Sequence, residues 1–171
     1  IYGLYYGGGD TVDYYRSTVA IINLMTDDFD SFYSILFENE LTSKNWIAFN
    51  KETGYPPYHI WRDPSSFAVS RYSVLFGLLG FKSFFVTSLL TAVFTYMGMW
   101  KLYRLFTTNY PNTKKALAIC ILFMPSLVFW GSGIMKDSYV LGATCWFSYN
   151  FYHVFIIRKK ILLNALLLII N

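Results

Sequence analysis

Apolar residues lie in long charge-free runs in the second half of the chain and at helical spacing in the first. Eighteen residues from Ser83 to Trp100 carry no charge, bounded by Lys82 and Lys101. Twenty follow from Ala116 to Met135, between Lys115 and Lys136, and twenty more from Ser138 to Ile157, between Asp137 and Arg158. A helix crosses ~30 Å of hydrocarbon with ~20 apolar residues. The runs 83–100, 116–135 and 138–157 therefore predict three membrane spans. A further run starts at Ile161 and is cut by the end of the sequence; with an opening at Ile1, this predicts a segment of a longer protein. The expected fold is all-α: a polytopic transmembrane helix bundle over 83–171, joined to an outer region over 1–82 made of interfacial amphipathic helices.

The first 63 residues are polar enough to be wet, yet rich in Tyr and Phe. Tyr2, Tyr5, Tyr6, Tyr14 and Tyr15 suit a membrane–water interface, where a ring and a polar tip are both accommodated. Gly7-Gly8-Gly9 breaks the chain. A helix is expected after it, with Val12, Tyr15, Val19 and Ile22 on one face. A second is expected from about Asp27 to Leu41, with Phe29, Phe32, Tyr33 and Leu36 on its apolar side. Tyr55-Pro56-Pro57-Tyr58 and Asp63-Pro64 read as turns or extended chain. Residues 67–81 are apolar but interrupted by Arg71. An arginine within a span costs several kcal/mol, so this stretch is predicted to lie along the surface or re-enter it.

Charge then gives an orientation. Lys101, Arg104, Lys114, Lys115, Arg158, Lys159 and Lys160 flank the predicted spans with no acid among them. Basic residues are retained on the cytoplasmic side. Residues 101–115 and 158–160 are therefore expected inside, and residues 1–82 and the Lys136-Asp137 turn outside. The outer segment holds nine of the ten acids and six of the fourteen basic residues. The pI of about 9.0 is thus a topology signal, and nucleic acid is not an expected partner. With 55% hydrophobic and 14% charged residues, the composition departs from soluble domains in the same direction.

Candidate chemistry is sparse. Asp10 and Asp13 are three apart at a predicted helix start, so both face one direction. A carboxylate there serves as a general base if its pKa suits the reaction. The same residues fit an N-cap at Asp10 with a weak capping box at Asp13, and the two roles are compatible. Asp27, Asp28 and Asp30 lack the glycine and closing glutamate of a calcium loop; Thr26 as a cap and acids on a helix dipole account for them. Lys136 and Asp137 follow Trp130-Gly131-Ser132-Gly133, which loosens a helix end at the outer interface. Such ionisable residues serve a ligand or pair with each other. His59 and His153 read as structural, and Cys120 and Cys145 as buried apolar thiols. Phosphate loops, Cys/His metal spacing and nucleophile elbows are absent from the sequence.

The order of these features resembles the front part of the GT-C glycosyltransferases, in particular the bacterial mannosyltransferase-like group. The resemblance is carried by Gly9-Asp10-Thr11-Val12-Asp13-Tyr14-Tyr15 and by Tyr55-Pro56-Pro57-Tyr58. It continues in Val74-Leu75-Phe76-Gly77-Leu78-Leu79-Gly80 and in Pro125-Ser126-Leu127-Val128-Phe129-Trp130-Gly131-Ser132-Gly133-Ile134-Met135-Lys136-Asp137-Ser138. It implies a multi-pass protein of a bacterial inner membrane that takes sugar from a polyprenyl-phosphate donor. The acceptor would be a glycan, a lipid or a protein, and the bilayer lipid itself is a partner. Asp10 would be the catalytic base, with Asp13, Arg71, Lys136 and Asp137 binding substrate. Lys136 or Arg71 would neutralise the departing phosphate. No cofactor is required; the divalent metal used by some members would be held by Asp10 with Asp13 or Asp137. The competing readings are a transporter, flippase or scaffold, and a polysaccharide polymerase or ligase.

Overall fold

The structure is a computed structural model that describes residues 9–38 and 41–157. The tyrosines and glycines before Gly9, the predicted end of the second helix at 39–40, the basic triplet 158–160 and the run from Ile161 lie outside the described residues. Among the described residues every regular element is helical. Two compact units are present. One holds the described residues up to Thr91 together with Gly133–Lys136; the other holds Ala92–Ser132 and the described residues from Asp137 onward.

The first unit is built on α1 (Asp10–Asp27) packed against α5 (Pro64–Leu79). The predicted apolar face of α1 is only partly right. Ile22 is buried, but Val12, Tyr15 and Val19 are half-exposed, and the inward face carries Thr11, Tyr14, Ser17, Thr18 and Ile21. Small residues face inward because the two helices approach closely. A Cβ on Gly77 would stand 2.6 Å from Ile22 Cδ1 and 3.1 Å from Thr18 Cγ2. Ser70 and Ser73 are also fully buried on α5, and the Thr18 hydroxyl donates across to the Ser70 carbonyl at 3.1 Å.

Asp28 interrupts the chain after α1, so the helix expected from Asp27 is displaced. Thr26 is not its cap: it lies in the last turn of α1 and donates to the Asn23 carbonyl. Asp28 has extended backbone and accepts from Ser31 N and Oγ, starting α2 (Phe29–Tyr33), which continues as a π-helical turn, Ser34–Glu38. Those bonds from Ser31 hold the Asp28 carboxyl below its ordinary range. The predicted apolar face is corrected too: Phe32 and Ile35 are buried, while Phe29, Tyr33 and Phe37 are exposed. Two short helices follow, α3 (Ser43–Ile47) and α4 (Tyr58–Arg62). Their Trp46 and Trp61 rings meet Phe49 and Phe67 in an aromatic cluster.

The corner after α5 is tight. Phe81 and Lys82 have φ of 51° and 56°, in the left-handed region. Lys82 is fastened there: its carbonyl accepts from the Tyr15 hydroxyl, and its Nζ donates to Asn23 Oδ1 at 2.7 Å. The chain then enters α6 (Phe84–Asn109), which runs nine residues beyond the predicted span 83–100. Among the described residues α6 is the one helix long and apolar enough to cross a membrane.

The predicted span 116–135 is not a single helix. α7 (Lys114–Leu122) stops, Met124 turns extended, and Pro125 opens a separate α8 (Pro125–Trp130). Proline excludes the helical conformation from the residue before it and lacks the N–H that would continue the ladder. The expected kink is therefore a full break. The last described helix, α9 (Lys136–Tyr152), is extended by a π-helical turn, His153–Ile157. In the second unit α6 and α9 meet at glycines: a Cβ on Gly98 would lie 2.6 Å from the Gly142 carbonyl oxygen. Beside it the Thr95 hydroxyl donates to the Ser138 carbonyl at 3.0 Å.

Candidate functional site

Charged side chains in the first unit gather where α1, α4 and the start of α5 meet. Gly9 takes φ of 97° and occupies the N-cap of α1, with its carbonyl accepting from Val12 N and Asp13 N. Asp10 is therefore not the cap. It is the first helical residue, is exposed, and makes no ion pair or side-chain hydrogen bond among the described residues. One turn on, Asp13 is largely enclosed. One of its oxygens lies 3.4 Å from His59 Nε2 on α4, and the other 3.6 Å from Arg16.

The second half of the cluster is a helix cap. Asp63, with Pro64 behind it, accepts from Ser65 N and Ser66 N and from both serine hydroxyls. The hydrogen bonds from Ser66 and then Ser65 hold its carboxyl far down, at about 2. Lys136 reaches this cap: its Nζ donates to Ser65 Oγ at 2.9 Å and lies 3.9 Å from Asp63 Oδ2. Three of these side chains share a wall. His59, Arg62 and Asp63 line one open cleft of about 360 Å³. The His59 imidazole, backed by Asp13, and the Arg62 guanidinium thus border accessible space, with the Lys136 ammonium one contact away on Asp63 and Ser65, a set suited to proton transfer and to holding an anion.

Asp13 and Lys136 are thus brought into one cluster, and Asp10 stands a turn away on the face of Asp13. Arg71 is not part of it. It lines another groove of the first unit with Phe32, Phe37, Leu75 and Leu78, where its Nε is buried without a hydrogen bond and burial lowers its pKa. Asp137 belongs to the second unit. His59 and Asp63 are functional candidates that sequence reasoning passed over. Asp63-Pro64-Ser65-Ser66 does carry a local signal, a capping aspartate with proline at the first helical position. His59 carries none, since its partner Asp13 lies 46 positions earlier by the numbering. No three metal-ligating side chains gather among the described residues. Asp13 and His59 alone do not complete a ligand set.

Comparison with protein-family models, with curated proteins and with solved structures finds no match to this chain.

Proposed function

We propose that the chain belongs to an integral membrane glycosyltransferase that takes a sugar from a polyprenyl-phosphate donor at the outer face of a membrane. One observation carries the proposal: Lys136 is tied to the cap of α5 beside a cleft that also presents His59, itself paired with Asp13. In the proposed reaction the acceptor hydroxyl loses its proton to a base and attacks the anomeric carbon. The bond from that carbon to the phosphate oxygen breaks, and the phosphate leaves with the electron pair. Negative charge grows on the leaving oxygen, and a preorganised cation beside it lowers the barrier. Lys136 supplies that cation. Asp10 is the proposed base, as the GT-C resemblance implies. Among the described residues it is the carboxylate of this cluster left uncommitted, since Asp13 is engaged by His59 and Arg16. The Asp13–His59 pair is a second base of the kind in which a carboxylate orients an imidazole.

Membrane residence is part of the proposal. Only 28% of the apolar window of α6 is buried, whereas the core helix of a soluble protein is mostly covered. Phe85, Leu89, Val93, Met97 and Trp100 are exposed along it. Lipid accommodates such a face without penalty, and water does not. Glycine contact between α6 and α9 suits helices that associate within lipid, where small residues let backbones approach. In the proposed arrangement α6 and α9 cross, α7 and α8 form a broken span, and α2 and α5 lie on the surface with Phe29, Tyr33, Phe37, Tyr72 and Leu75 toward lipid.

The test uses the full-length protein in liposomes and a panel of polyprenyl-phosphate sugars with glycan and lipid acceptors. Wild type is expected to transfer sugar. Asp10→Asn is expected to fold normally and lose roughly 10²–10⁴-fold in rate, the usual cost of removing a general base. If Asp10→Asn retains full rate and His59→Gln loses it, the base is the Asp13–His59 pair. No transfer by wild type across the panel overturns the enzyme reading in favour of a transporter or scaffold.

A further inference from the structure

Adjoining the charged cleft is a second hollow of different character. It measures about 600 Å³ and is lined by Ser43, Trp46 and Ile47 around α3 and by Tyr58, Trp61 and Arg62 on α4. The two hollows are neighbours, with Tyr58, Arg62 and Pro64 lining both. Its floor is rigid. Trp61 is buried and packs edge-on against Phe67 at 4.9 Å and Phe49 at 5.6 Å between centroids. Trp46 rests on Trp61 at 5.4 Å and stands at right angles to Tyr58 at 5.9 Å. Tyr58 itself is 67% exposed, so its ring is free to meet a ligand. Arg62 is exposed and has no ion pair among the described residues.

We infer that this hollow binds a sugar ring, as the acceptor-saccharide subsite of the proposed transferase. The inference rests on that reading of the adjoining cleft. The chemistry selects the ligand class. Aromatic faces are electron-rich and attract electropositive C–H groups. A pyranose offers a face of axial C–H bonds and an equatorial rim of hydroxyls. The face matches the exposed Tyr58 ring, and the rim matches the Arg62 guanidinium and the Ser43 hydroxyl, which an acyl chain would cover without replacing their hydrogen bonds to water. The volume falls within the ~300–1,000 Å³ typical of small-molecule sites. A sugar seated there would have one edge at Tyr58, Arg62 and Pro64, the wall that also bounds the cleft of His59 and Asp63.

The probe is a mixture of methyl glycosides of glucose, galactose, mannose and N-acetylglucosamine, read by saturation-transfer NMR. The protein is the full-length chain in a detergent without a sugar headgroup. At least one glycoside is expected to bind wild type. Tyr58→Ala is expected to weaken it by about tenfold or more, the loss typical of removing a stacking ring, and Tyr58→Phe to leave it unchanged. In transfer assays Tyr58→Ala should raise the acceptor KM with little change in kcat. Glycoside binding that depends on Tyr58 in a protein with no transfer activity upholds the sugar site and sinks the enzyme reading. Transfer activity with no glycoside binding, or with binding and acceptor KM indifferent to Tyr58→Ala, overturns the sugar site and leaves the enzyme reading standing.

Discussion

Asp63 is held at about 2 by hydrogen bonds its charged form receives from Ser66 and Ser65, and this makes its contribution to folding depend on pH. A carboxyl whose folded pKa is depressed stabilises the fold above its unfolded value and loses that stabilisation as pH falls through the folded one. The cap of α5 and the tether to Lys136 are therefore expected to be intact above the ordinary 3.8 and to fail as pH falls to about 2. Thermal unfolding followed by circular dichroism checks this. Asp63→Asn, which caps about as well as aspartate, should flatten the pH dependence over that interval. An unchanged pH profile in Asp63→Asn would remove Asp63 as its source. The same residue marks how far side-chain roles were legible in sequence. Capping by Asp63 follows from its neighbours Pro64 and Ser65, so a closer local reading finds it. The approach of His59 to Asp13 depends on α4 folding back to α1, and no local pattern encodes it. At Asp10 local reasoning failed for a backbone reason. Gly9 alone tolerates φ of 97°, so the cap moved one residue back.

Helices in both units meet through small residues, and at two crossings a single glycine sets the spacing. At Gly98 the obstruction is the backbone oxygen of Gly142, which cannot swing aside. Gly98→Ala is expected to cost about 1–3 kcal/mol, the range for inserting a methyl into a packed contact. At Gly77 the nearest atom is the end of the Ile22 side chain, so the same change is expected to cost less. Thermal denaturation of the two variants in one detergent compares them, and a Gly77→Ala variant less stable than Gly98→Ala would contradict the ranking. The longer helices α1, α5, α6 and α9 were readable from periodicity and apolar runs, but the short α3 and α4 and the helix faces were not. α1 turns Ser17 and Thr18 inward, because a close crossing selects size over polarity once hydroxyls bond to carbonyls of their own helix, as Thr18 does to Tyr14. The break at Met124-Pro125 was half-visible. Proline announced a disturbance, while the twenty-residue apolar run around it concealed that the helix stops.

For the chain as a whole, composition and charge placement gave the all-helical class, and the structure agrees among the described residues. The proposed topology makes a direct prediction. Cysteines introduced at Ser43 and Asn112 are expected to label oppositely with an impermeant thiol reagent in intact cells, Ser43 from outside and Asn112 only after permeabilisation. Equal labelling from outside rules the orientation out. A different kind of readout is latent in the corner between α5 and α6. Phe81, which is 94% exposed, and Lys82 both hold a left-handed backbone. Digestive proteases bind their substrates as extended strands, so trypsin cannot take the bond after Lys82 until the corner unwinds. Unwinding requires release of Lys82 from Tyr15 and Asn23. The nicking rate at this bond therefore counts local openings rather than exposure. Tyr15→Phe and Asn23→Ala should each speed the nick, detected as a split of the chain at residue 82 by mass spectrometry, while global unfolding shifts little. Equal rates in wild type and both variants would mean that the corner opens without breaking these bonds, and that the tether of α1 to Lys82 does not govern its resistance to cleavage.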